Sequence, residues 1–154
     1  MKILIIIISI ITCNTTFSQP HSFSSRGLGG GGALFSLSIN PENNDEYYVS
    51  CDMGELFHTY HYGINYKQIH YTELIGGHDS KVCFTNIPNL LYSITYANDL
   101  ILPMKSLDSG VTWNALTGNP DPSEQTFSIN ADYNNAHRVL ISYYGQIYFS
   151  NNGG

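Results

Sequence analysis

The sequence predicts an all-β chain, a partial β-propeller built from four-stranded blades. Three observations carry that prediction. Short runs of alternating apolar and polar residues are separated by clusters of Gly, Pro, Asn and Asp from Ala33 onward, which is the pattern of strands and turns. No segment sustains apolar spacing of helical period. A turn-like pattern also recurs, opening at Thr59, Ser106 and Ser150 with spacings of 47 and 44 residues, a period that suits propeller blades.

The pattern is fullest at Ser106-Leu107-Asp108-Ser109-Gly110-Val111-Thr112-Trp113, which reads S-x-D-x-G-x-T-W. Asp108 can accept hydrogen bonds from backbone N–H groups of its own loop, and Gly110 can take a positive φ. Thr112 and Trp113 then begin a new strand, with the indole filling the space beneath the turn. Thr59-Tyr60-His61-Tyr62-Gly63-Ile64-Asn65-Tyr66 is a worn copy, with His61 at the Asp position, Gly63 at the Gly position and Tyr66 at the Trp position. Ser150-Asn151-Asn152-Gly153-Gly154 matches the first half, with Ser150, Asn152 and Gly154 at the three key places. The pattern resembles the Asp-box, or bacterial neuraminidase repeat. In families that carry it the box is structural, so the resemblance implies a fold and not a chemistry.

The elements follow in order. Residues 1–18 read as an export leader: Lys2 supplies the charged start, Ile3 to Ile11 the apolar run, and Thr16-Phe17-Ser18 a small-x-small cleavage site. The run is too short for a membrane span, and Ile10-Ile11-Thr12-Cys13 offers only a poor lipobox. Residues 19–32 form a lead-in rich in Ser and Gly. Its glycine run lacks the ending of a phosphate loop, so it reads as a flexible entry or as backbone that must pass close to something. The first blade spans about 33–74, with strands at Ala33–Ile39, Tyr47–Cys51, Leu56–Thr59 and Tyr66–Tyr71. The second spans about 80–118, with strands at Val82–Ile87, Leu91–Tyr96, Leu100–Lys105 and Trp113–Leu116. The third begins near 125, with strands at Thr126–Asn130, Val139–Tyr143 and Gln146–Ser150. A propeller needs about 4–8 blades, so the chain reads as the N-terminal fragment of a longer protein whose remaining blades are its nearest partner.

Composition narrows the function. The net charge is −6 with only six Lys and Arg, which leaves no basic face for nucleic acid. The twelve tyrosines suit strands and also sugar-binding surfaces. His58, His61, His70 and His78 fit no zinc-ligand spacing, so neither a metal nor a cofactor is expected. After leader removal Cys51 and Cys83 remain. An exported protein could pair them, but they fall in different blades, where two buried thiols fit as well.

One stretch points toward chemistry. The Gly run Gly29–Gly32, the strand ending at Asn40-Pro41 and the motif Asp52-Met53-Gly54-Glu55-Leu56-Phe57-His58 resemble the start of the two-propeller endoglucanases and xyloglucanases of glycoside hydrolase family 74. Glu55 stands where that family has a second Gly, and His58 where it has Arg. The resemblance implies that Asp52 is one of two catalytic carboxylates in an inverting hydrolase, its partner Asp lying in the second propeller, outside this sequence. Tyr47, Tyr48, Tyr60 and Tyr62 could then offer stacking faces to a sugar, with His61 beside them, though strand alternation points about half of these tyrosines into the sheet packing. A turn residue is the other reading of Asp52, because Asp99 sits at the same offset, seven residues before a box opening. Sortilin-type ectodomains and photosystem-assembly propellers carry similar repeats, so a non-catalytic binder of an extracellular protein or glycan is the alternative. Either protein would be secreted, cell-surface or periplasmic.

Overall fold

The computed structural model describes residues 22–28 and 32–154. The leader at 1–18, Cys13 and Gly29–Gly31 lie outside the described residues. The fold is that of propeller blades: three antiparallel sheets, with no helix among the described residues. In the first sheet β1 (Leu34–Asn40), β2 (Asn43–Cys51), β3 (Leu56–Thr59) and β4 (Lys67–Gln68) lie side by side in chain order. The second holds β5 (Leu91–Ala97), β6 (Leu100–Ser106) and β7 (Asn114–Ala115). The third holds β8 (Ser128–Ala131), β9 (Val139–Tyr143) and β10 (Gln146–Ser150).

The first hairpin is tighter than the Asn-rich sequence suggests. Asn40 pairs with Asn43, which leaves Pro41-Glu42 as a two-residue turn, and the Asn40 side chain accepts the Glu42 N–H at 2.9 Å. The fourth strand is shorter than the expected Tyr66–Tyr71. It stops because the His70 carbonyl accepts the N–H groups of Glu73 and Leu74 and turns the chain.

The expected strand Val82–Ile87 shrinks to one bridge, Cys83 with Tyr92. Thr85 explains the loss. Its hydroxyl donates to the Leu90 carbonyl at 2.8 Å and accepts the Ile87 N–H at 3.2 Å, while the Asn86 N–H goes to Tyr133 O at 2.9 Å. A local turn has taken the groups that a ladder would use.

The core sits in the two joints between sheets. Tyr48, Leu56, Val82, Leu91, Met104 and Trp113 fill the first. Tyr92, Ile94, Ile101, Ile129, Val139 and Ile141 fill the second. Successive β5 residues point to opposite faces, so Leu91 enters one joint and Tyr92 the other, and every residue from Leu91 to Thr95 is buried. The first segments of the three sheets touch as well. Ser38 Oγ accepts the Val82 N–H at 3.0 Å, and the Cys83 thiol donates to Ile129 O at 3.3 Å. Cys83 and Cys51 are buried thiols in separate sheets, with no disulfide between them, and burial pushes the Cys83 thiol pKa up.

Candidate functional site

Strands in simple up-and-down order place their turns at alternating ends. The β1–β2 turn and the β3–β4 loop share one end of the first sheet. The β2–β3 turn and the linker after β4 share the other. The three recurring turns therefore lie at one end of their sheets, and Asp52 lies at the opposite end.

The recurring turns share one geometry. Thr59 Oγ1, Ser106 Oγ and Ser150 Oγ accept the N–H of Gly63, Gly110 and Gly154 at 3.2, 2.8 and 2.9 Å. In each turn the third and fourth residues after the opening take positive φ: Tyr62 and Gly63, Ser109 and Gly110, Gly153 and Gly154. The middle turn carries most side-chain bonds. Asp108 accepts the Thr112 N–H at 2.9 Å, the Thr112 hydroxyl at 2.6 Å and the Ser106 hydroxyl at 2.8 Å. The Thr112 hydroxyl, with the backbone donors behind it, holds the Asp108 carboxyl below the usual range. Trp113 is buried beneath the turn, and its Nε1–H donates to Gly110 O at 3.1 Å. In the third turn Asn152 takes the Asp position and accepts the Ser150 hydroxyl at 2.7 Å.

Two tyrosines fasten these ends to the next sheet. Tyr48 OH donates to Ser109 O at 3.3 Å, and Tyr92 OH donates to Ala136 O at 3.0 Å. They are repeat equivalents, each one residue past the partner of its box opening, Tyr47 with Thr59 and Leu91 with Ser106. Leu140 holds that place in the third sheet, next to Val139, the partner of Ser150.

Asp52 is exposed on the β2–β3 turn. Its Oδ1 accepts the Ala33 N–H at 2.9 Å, and its own N–H donates to Ala33 O at 3.2 Å. Gly32, at φ 91°, packs so tightly here that a Cβ would meet Cys51 Sγ at 2.5 Å and Asp52 Oδ1 at 2.7 Å. Gly32, the described end of the glycine run, packs against this turn. Asp52 edges an open depression of about 410 Å³ formed with Met53, Ile75, His78 and Tyr96. His78 stacks on Phe35 at 4.2 Å, and Tyr96 OH donates to Asp79 at 3.1 Å. Gly76-Gly77-His78-Asp79 falls between the first two blades that the sequence predicts. Its signal was the glycine pair, since a Cβ on Gly77 would meet the Tyr96 ring at 2.2 Å.

Tyr60, His61 and Tyr62 are not brought to Asp52. Four residues of β3 separate the two groups, about 13 Å of strand. Tyr60 lies against His58, ring centres 4.1 Å apart, and Tyr62 lies beneath the Arg26 guanidinium at 5.3 Å. Tyr48 is fully buried and offers no face to a sugar. His58, also buried, stacks on Tyr48 at 3.8 Å and pairs with Glu46 at 2.9 Å. Burial pushes the imidazole pKa down, against the opposing pull of Glu46. No group of three His, Cys, Asp or Glu side chains suited to a metal gathers among the described residues.

Solved structures share this architecture. YCF48 from Cyanidioschyzon merolae superposes with a TM-score of 0.62 at 18% identity, over 84% of this chain and 37% of that one. The Niastella koreensis GH74 enzyme gives 0.59 at 17%, over 79% and 21%. An ancestral GH74 enzyme gives 0.66 at 16%, over 84% and 18%. The chain is a propeller chain that spans well under half the length of these neighbours. No protein-family model and no curated protein matches the sequence.

Proposed function

We propose that the chain is the N-terminal part of an exported Asp-box propeller protein that acts on a β-glucan or xyloglucan-type polysaccharide. In this reading Asp52 is one carboxylate of an inverting glycoside hydrolase. The observation that carries it is the placement of Asp52, exposed beside an open depression with one carboxylate oxygen fixed by the Ala33 N–H. Fixing one oxygen sets the direction of the other, which an acid or base needs. Tyr96 and His78 supply ring surface on the same side. The likeness to GH74 structures supports the fold on which this chemistry would stand. An inverting reaction needs a second carboxylate about 6.5–9.5 Å away across the sugar. The remaining blades of the longer protein would supply it, and no metal or cofactor is needed. The Tyr60–Tyr62 turn, at the other end of β3, stays outside this groove.

Asp52→Asn in the full-length protein tests the assignment. Asparagine keeps an Oδ1 acceptor for Ala33 and loses only the charge, so the turn should hold. We expect hydrolysis of soluble xyloglucan to fall at least about hundredfold, with an unchanged melting temperature. Undiminished hydrolysis would remove Asp52 from the chemistry.

A second reading has its own support. Asp52 and Ala33 bond each other in both directions, and Asp99 occupies the corresponding β5–β6 turn with φ 65°. A recurring turn acid needs no catalytic role. The protein would then be a non-catalytic propeller that binds a glycan or an extracellular protein. Binding of either without turnover, unaffected by Asp52→Asn, is the outcome that favours it. YCF48 bound to a D1 peptide shares the fold over 80% of this chain, with a TM-score of 0.60 at 14% identity.

A further inference from the structure

The second and third turns rest on a tyrosine from the sheet before them. A Cβ on Gly110 would stand 2.2 Å from Tyr48 OH, and one on Gly153 would stand 2.9 Å from Tyr92 OH. The first turn has no described sheet before it, yet its flank is covered. We infer that the lead-in around Arg26 is a strap that covers the flank of this turn, where a preceding sheet covers the other two.

Three contacts hold the strap. Tyr66 OH donates to Arg26 O at 2.6 Å. The Arg26 guanidinium lies 5.3 Å over the Tyr62 ring. A Cβ on Gly63 would meet Tyr47 OH at 2.2 Å and Tyr66 OH at 2.7 Å from its own sheet, and Arg26 Cβ at 2.9 Å from the strap, so the turn and the strap are in van der Waals contact. The seat is prepared from within the sheet as well, because Tyr47 OH lies 2.6 Å from Tyr66 OH and holds that ring in place. Positive φ at Tyr62 and Gly63 presents the ring and the bare backbone together. Any sheet that closes against β1–β4 on this side must expel Arg26 or stop short of the turn.

Trypsin reads the strap directly, since Arg26 is its cleavage site. The full-length protein is digested beside a synthetic peptide of residues 19–32, and cleavage after Arg26 is followed by mass spectrometry. One exposed cation–π contact and one hydrogen bond together should slow cleavage about tenfold relative to the peptide. The double variant Tyr62→Leu/Tyr66→Phe should approach the peptide rate. Tyr66→Phe alone keeps the ring and should be intermediate, which preserves the test if the double variant loses its cooperative melt. Wild-type cleavage as fast as the peptide, or folded variants as slow as wild type, would overturn the strap.

Discussion

Replacing Gly110 by Ala probes the fastening between the first two sheets. Gly110 has φ 82°, and its missing Cβ leaves room for Tyr48 OH at 2.2 Å. Alanine in the left-handed region costs about 1–2 kcal/mol. The new methyl must also push aside a tyrosine that is fully buried, at about 1–3 kcal/mol of overpacking and about 1 kcal/mol for the lost bond to Ser109 O. The total is about 3–6 kcal/mol. Gly145→Ala is the control. Its φ is 76° and nothing lies within 4 Å of the added Cβ, so only the backbone term of about 1–2 kcal/mol remains. Urea unfolding followed by fluorescence measures both, with Trp113 beneath the same turn as a local reporter. Adding Tyr48→Phe to Gly110→Ala frees the hydroxyl's space and should recover about 1–2 kcal/mol. Equal costs at the two glycines, or no recovery in the double variant, would refute the claim that the tyrosine seat makes this glycine necessary.

Two pH dependences follow from the same region. The folded Asp108 carboxyl is held low by Thr112, so its stabilisation is present above the unfolded value of about 3.9 and is lost as pH falls through the lower folded value. Thr112→Val should raise the Asp108 pKa in an NMR titration and flatten the acid-side loss of stability; an unmoved titration would rule out the hydroxyl as cause. Burial depresses the His58 pKa, so the stability it contributes is present above about 6.5 and fades as pH falls through the folded value. His58→Gln keeps a donor for Glu46 without the titration, and its stability between pH 7 and 5 should change less than that of wild type, as denaturant midpoints would report.

The fold was legible because its turns write themselves into sequence. Each opening Ser or Thr, followed four residues later by Gly, does locally what the spacing predicts, and Trp113 closes the turn from beneath. What escaped was set by distant partners. Val82–Ile87 has strand composition, but Thr85 and Tyr133 claim its backbone groups. The Glu46–His58 pair lies diagonally across strands, and the β1–β2 register carries a bulge at Ile39/Asn40 that no local pattern marks. Arg26 looked like polar lead-in because its seat, Tyr62 and Tyr66, lies about forty residues away along the chain. Separating Asp52 from Tyr60–Tyr62 needed only the length of β3 and the rule that turns alternate ends. Motif likeness drew the two groups together where strand geometry keeps them apart.

Tyr48 and Tyr92 both address a main-chain carbonyl, Ser109 O and Ala136 O, and every residue type carries one. The receiving loop can therefore change its side chains and still be held, provided its path brings a carbonyl to the hydroxyl. Such a coupling constrains shape and, beyond the glycines that leave room for the hydroxyls at Gly110 and Gly153, leaves composition free to drift. The loops that receive Tyr48 and Tyr92 differ in sequence, yet each presents its carbonyl to the hydroxyl.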